Sequence, residues 1–187
     1  MIFSSKAKLI FCHIHKCGGE SIEHEFDQVS HVSDLVLGTG EKKYNQIIQK
    51  RYAQKFYLRK HSRTDKIIRS FEHLIDTDYV VYIIIRNPVD RALSIYYYFK
   101  QWKYKCVEPF SNPSDFWLSL DENDLGFDEF FTPQSSFLPS IDIDKKIYTL
   151  QNIDKLINAM NNRIGSYGYF GKIKNIHINK SKYPKNK

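Results

Sequence analysis

Residues 79–85 read YVVYIII, seven consecutive β-branched or aromatic side chains with no charge among them. A run of that kind suits a strand buried on both faces, and such strands belong to parallel sheets covered by helices on either side. The residues that follow, RNPVDRALSIYYYF, carry a helix start: Asn87 suits the N-cap, Pro88 the first helical position and Asp90 the positive end of the helix dipole. A strand that runs straight into a helix is the repeating unit of an α/β chain.

Two more such units flank this one. Residues 8–14 are apolar and β-prone, HKCGGESI follows, and Ile22, Phe26 and Val29 then recur at helical spacing. Near the other end, KKIYTL reads as a short strand, and NIDKLINAMNNRIG sets Ile153, Leu156, Ile157, Met160 and Ile164 on one helical face, closing at Gly165. Between the first two units the pattern predicts helices over 41–58, with Ile47, Ile48, Tyr52 and Phe56 inward, and within 61–75, with Ile67, Ile68, Phe71, Leu74 and Ile75 inward. Ser62 or Thr64 is the expected N-cap of the latter. Residues 103–140 mix Pro, Asn, Asp and Ser with aromatics and read as irregular, with one short helix near 115–120. The expected architecture is a single α/β domain over 1–187, a three-layer αβα sandwich with a central parallel sheet and a P-loop-like first turn.

The formal charge of +7 and a pI near 9.2 call for an anionic partner, without choosing among nucleotide, nucleic acid, membrane surface and acidic glycan. Three cysteines, Cys12, Cys17 and Cys106, form no CxxC pair and are expected as thiols. No apolar run approaches the roughly 20 residues of a membrane span. The segment KLIFCHI is too short and too soon interrupted for a signal-peptide core, so a cytoplasmic location is expected.

The chemistry concentrates in two turns. At Lys16–Cys17–Gly18–Gly19–Glu20–Ser21, paired glycines let backbone N–H groups approach a ligand, the helix that follows offers its positive end, and Lys16 adds a point charge. The P-loop pattern GxxxxGK[ST] is not met, and nothing obvious would hold a metal. In the second unit, Arg86 stands at the end of the strongest strand, and Ser94 shares a helical face with Asn87 and Arg91. Two anion sites flanking one crevice suit a ligand with two separated phosphate-like groups.

These residues carry a resemblance. HIHKCGGESI resembles the 5′-phosphosulfate loop, and RNPVDRALSIYYYF the 3′-phosphate motif, of sulfotransferases that use 3′-phosphoadenosine 5′-phosphosulfate (PAPS). KHSRTDKI is similar to a stretch of the carbohydrate-type branch; TPQSSFL, YTLQNIDKL and INKSKYP are similar to weaker late motifs, the last with Asn179, Lys180 and Ser181 on the nucleotide side. The resemblance implies a PAPS donor, 3′,5′-adenosine bisphosphate as product, no metal, and a small-molecule or glycan acceptor with neither nucleic acid nor membrane as partner. It places Lys16, Cys17, Gly18, Gly19, Glu20 and Ser21 at the 5′-phosphosulfate and Arg86 and Ser94 at the 3′-phosphate. Glu20 departs from the family pattern, since a carboxylate beside an anion is unfavourable unless its side chain turns away.

In-line transfer needs positioning and charge stabilisation, supplied by Lys16, and a base for the acceptor proton. His61 is the expected base, because it precedes a helix start whose dipole favours neutral imidazole. His15 and Gln134 are expected on the acceptor side. His13 also brackets the first strand end, while the aromatic cluster from Tyr96 to Trp102 is expected mainly in the core. A small-molecule kinase and a non-catalytic nucleotide- or nucleic-acid-binding module are the alternatives on residue pattern alone.

Overall fold

The computed structural model describes residues 1–38, 43–120 and 128–175. Strands β1 (Ile2–Ser4), β2 (Leu9–Cys12), β3 (Asp34–Val36), β4 (Val80–Ile85) and β5 (Asp144–Thr149) form one sheet in the order β3-β1-β2-β4-β5. Around it lie α1 (Gly19–Val29), α2 (Lys43–Phe56), α3 (Thr64–Ser70), α4 (Pro88–Gln101), α5 (Pro113–Ser119), α6 (Asp128–Phe131) and α7 (Ile153–Ser166). Val80 through Ile84 are each 5% exposed or less. Neighbouring side chains on a strand face opposite ways, so both faces of β4 are covered and the domain has three layers.

The sheet is mixed rather than wholly parallel. β2, β4 and β5 run parallel, with Cys12 opposite Ile83 and Ile85 opposite Thr149. β1 is antiparallel to both its neighbours, β2 and β3. The short stretch from Ser4 to Leu9 turns the chain back on itself: the Ala7 N–H donates to Ser4 Oγ at 2.9 Å, and Lys8 takes a positive φ of 50°. Strands of three residues are too short to show a period, which is why β1 and β3 escaped the hydrophobic pattern.

The helices follow the sequence closely, with local departures. Asn87 caps α4 as expected, its Oδ1 accepting from the N–H groups of Val89 at 2.9 Å and Asp90 at 3.3 Å. The N-cap of α3 is Arg63, not Ser62 or Thr64. Ser62 Oγ instead accepts from the Arg59 N–H, and the Thr64 hydroxyl donates to the Phe137 carbonyl. α3 stops at Ser70 and a 3-10 turn over Glu72–Leu74 follows, which leaves Leu74 44% exposed. Ile47, expected inward, is also half exposed, whereas Ile48, Tyr52 and Phe56 pack on the core. The stretch read as irregular contains α5, α6 and a 3-10 turn at Gln134–Phe137, and the aromatics of α4 join those of α5 and α6 in a second apolar cluster.

β2 leads through α1 toward β3 on one side of the sheet, while β4 leads through α4 toward β5 on the other. The carboxyl ends of β2 and β4 therefore mark the point where strand order reverses, the place where open α/β sheets bind ligands. Because Asn87 sets the start of α4 at that point, Asn87→Ala is expected to cost about 1 kcal/mol, read as a melting temperature lowered by about 2–4 °C. An unchanged melting temperature would mean that Pro88 and tertiary packing alone fix the helix start.

Candidate active site

The turn after β2 is held in an unusual backbone shape. Lys16 has φ 63° and Gly18 φ 87°, both left-handed. Glycine is required at 18, since a Cβ there would stand 2.6 Å from Leu150 Cδ1. For Lys16 the same region costs on the order of 1–3 kcal/mol and persists only if neighbours enforce it. They do: the Cys17 N–H donates to the Ile14 carbonyl at 3.3 Å, and Arg86 Nη1 donates to the Lys16 carbonyl at 3.2 Å. No side chain caps α1, which begins directly after Gly18.

Arg86, at the end of β4, is thus aimed at the diglycine bend. Gln134, expected on the acceptor side, has its amide engaged by both turns. Its Oε1 accepts from the Arg86 N–H at 2.9 Å and from the Cys17 thiol at 3.2 Å, and its Nε2 donates to the Arg86 carbonyl at 2.8 Å. A third brace is Arg91, 7% exposed, whose guanidinium donates to the carbonyls of His15 at 3.0 Å, Thr132 at 3.1 Å and Phe130 at 2.8 Å. Sequence reading placed Arg91 on the correct helical face but not in this role. Ser94 lies on the same helix and is buried.

Lys16 sits with its ammonium 4.2 Å above the Tyr98 ring. Burial brings its pKa down to about 8, against the opposing pull of Glu20. Glu20, the departure from the family pattern, has its carboxylate 3.2 Å from Lys60 Nζ, so its charge is locally compensated. Ser21 is buried at the head of α1 beside it.

Three imidazoles gather beside this turn. His61 stacks on His15 with ring centroids 3.4 Å apart and meets the His13 ring edge-on at 4.4 Å. Its Nδ1 lies 2.8 Å from the His13 carbonyl, which can only accept, so Nδ1 carries the proton and Nε2 keeps its lone pair. Burial, then the neighbouring His13 and His15, push its pKa far below that of ordinary imidazole. Desolvation, rather than the helix dipole expected from the sequence, is the main cause that favours neutral His61. His15 is lowered to about 3 by burial first, then by His13 and Arg91, and its ring is flanked on the other side by Phe130 at 4.4 Å.

Two cavities, of about 160 and 410 Å³, lie along α4 around Ala92 and Trp117; the smaller reaches Arg91 and Phe130 beside His15, and neither is lined by Lys16 or Arg86. Asn179, Lys180 and Ser181 lie outside the described residues.

Fold and site geometry together define an α/β protein with a glycine turn after β2 braced against an arginine at the neighbouring strand end. A model of the sulfotransferase family matches residues 1–177, and the chain belongs to that family. No curated protein and no solved structure matches it. Among the described residues no helix is long and apolar enough to cross a membrane.

Gly19 ties the anion turn to the histidines, because a Cβ at 19 would stand 2.5 Å from His13 Cδ2. Gly19→Ala is therefore expected to displace that ring and to lower stability by about 1–3 kcal/mol in urea denaturation. A variant as stable as the parent would show that the contact relaxes freely.

Proposed function

We propose that this chain transfers a sulfuryl group from PAPS to a hydroxyl acceptor, with a carbohydrate as the favoured class. The observation that carries the reading is the approach of Arg86 to the Lys16 turn, which sets two cationic turns side by side at the strand-order reversal. Lys16 through Ser21 hold the 5′ end of the donor, and Arg86 with Ser94 its 3′-phosphate. A Cβ-free bend at Gly18 and the uncapped end of α1 suit an anion there. The donor supplies the sulfuryl group. As the acceptor oxygen bonds to sulfur, the bond from sulfur to the phosphate oxygen breaks, and Lys16 meets the charge that gathers on that oxygen. His61 takes the acceptor proton on Nε2. His15 walls the acceptor side, and Cys17 and Gln134 position the turn. No metal takes part in this reading, and the reaction is placed in the cytoplasm.

The test is ligand-induced stabilisation. Saturation with 3′,5′-adenosine bisphosphate at 100 times its dissociation constant raises stability by about 2.7 kcal/mol, and Arg86→Ala weakens that effect. His61→Ala keeps it and loses sulfate transfer from labelled PAPS. Preferential stabilisation by ATP with Mg²⁺, or by an oligonucleotide in a strongly salt-dependent way, would favour a kinase or a nucleic-acid-binding module instead.

A pH profile tests Lys16 separately. Its charge is needed, so kcat/KM, which reports the free enzyme, is expected to fall as pH rises through about 8. The bound donor's negative charge raises the lysine pKa, so kcat holds to higher pH. Coincident alkaline limbs in the two profiles would count against Lys16 as the group that meets the donor.

A further inference from the structure

We infer that Glu23 is a positioning residue for this site, acting on His61 through the ring and carbonyl of His13. Glu23 lies one helical turn beyond Gly19 on α1, and its side chain is fully buried. Its Oε1 is 2.8 Å from His13 Nδ1 and also meets the amino nitrogen of Met1; its Oε2 is 3.9 Å from Lys60 Nζ. Burial alone would raise the pKa of this carboxylate, but the donors and cationic groups around it outweigh burial and the net direction is down.

Ionised Glu23 can only accept. His13 is neutral because burial outweighs the pull of Glu23, and a carboxylate 2.8 Å from its Nδ1, although off the line of a hydrogen bond, favours the proton on that nitrogen over a lone pair. The opposite edge of the ring lies against Gly19, so the imidazole is gripped between two residues of the same helix. The His13 backbone follows the ring, and its carbonyl receives the Nδ1 proton of His61 at 2.8 Å. Glu23 thus seats the His13 ring, and the His13 carbonyl takes the Nδ1 proton of His61, which leaves Nε2 of His61 without a proton. A carboxylate that fixes the tautomer of a histidine is a general device of acid–base sites. Here it works at one remove.

The inference rests on His61 being the base, yet it can be read without donor or acceptor. Nitrogen-15 spectra of the histidine side chains in the full chain are expected to show His13 and His61 both protonated on Nδ1 between pH 6 and 8, a range set by about one unit either side of neutrality. Glu23→Gln keeps an acceptor oxygen and is expected to hold both tautomers. Glu23→Met removes it, and the His13 and His61 signals are expected to move together toward a tautomer mixture, with kcat lowered about 10–100-fold and KM for PAPS little changed. Partial rescue of kcat in Glu23→Gln separates positioning from mere folding.

His61 protonated on Nε2 in the parent chain would overturn the inference even if no variant folds. So would a His61 spectrum that ignores Glu23→Met. A chain with coupled imidazoles but no sulfate transfer would instead sink the proposed reaction and leave the coupling standing.

Discussion

Four residue pairs, Leu9 to Cys12 against Val80 to Ile83, hold β2 parallel to β4, and the position of each group in the site follows from that register. β2 stops at Cys12, whereas β4 continues through Ile84 and Ile85 before Arg86, supported by Tyr148 and Thr149 of β5. The chain leaving β2 therefore runs beside the overhang of β4 and reaches Lys16 just where the Arg86 guanidinium can take its carbonyl. A one-residue slip would turn the alternate faces of both strands and set Arg86 against a different part of the turn. Gln134 and Arg91 add braces from outside the sheet, but they brace an alignment that the strand pairing has already set.

Desolvation then gives the aligned groups their character. Lys16 is a cation partly stripped of water and resting on an aromatic face, with its pKa lowered to about 8. An anion that replaces the lost hydration lets that pKa rise again, and each unit regained is worth about 1.4 kcal/mol of binding. Glu20 would work against such a ligand if its charge stood alone. Its contact with Lys60, a cation that Glu23 shares at longer range, offsets part of that charge at the head of α1.

The parts of the fold that were legible in the sequence are those where one local signal is strong and uncontested. YVVYIII could hardly be anything but a covered strand, and Asn87 before Pro88 makes a helix start whose hydrogen bonds are the ones found. The glycine pair at 18 and 19 and the arginine at 86 were readable as neighbours because both stand at strand ends. What stayed hidden depends on contacts between distant segments. Glu23, Glu25 and Asp27 are residue types that belong at the solvent, yet all three are buried. Acidic side chains enter a core when partners arrive from elsewhere, here His13 and Lys60 for Glu23 and the Lys174 N–H for Glu25. Gln134 was legible as a polar residue near the site, but not as a brace, since its partners are 48 and 117 positions away.

Three histidines beside an anion turn would ordinarily suggest more positive charge for the ligand. Burial and mutual proximity keep His15 and His61 neutral instead, and that neutrality has a catalytic logic. Protonated imidazoles would attract the donor's anionic groups in the ground state as well as in the transition state, tightening binding without speeding transfer. With the imidazoles uncharged, positive charge stays at Lys16 and Arg86, where the proposed reaction would hold the donor's two ends. The bare Nε2 of His61 is then left for a proton. In the proposed transfer its weak basicity would not be fixed: a polyanion brought alongside raises the pKa of every nearby base, so a bound donor would strengthen the base it needs.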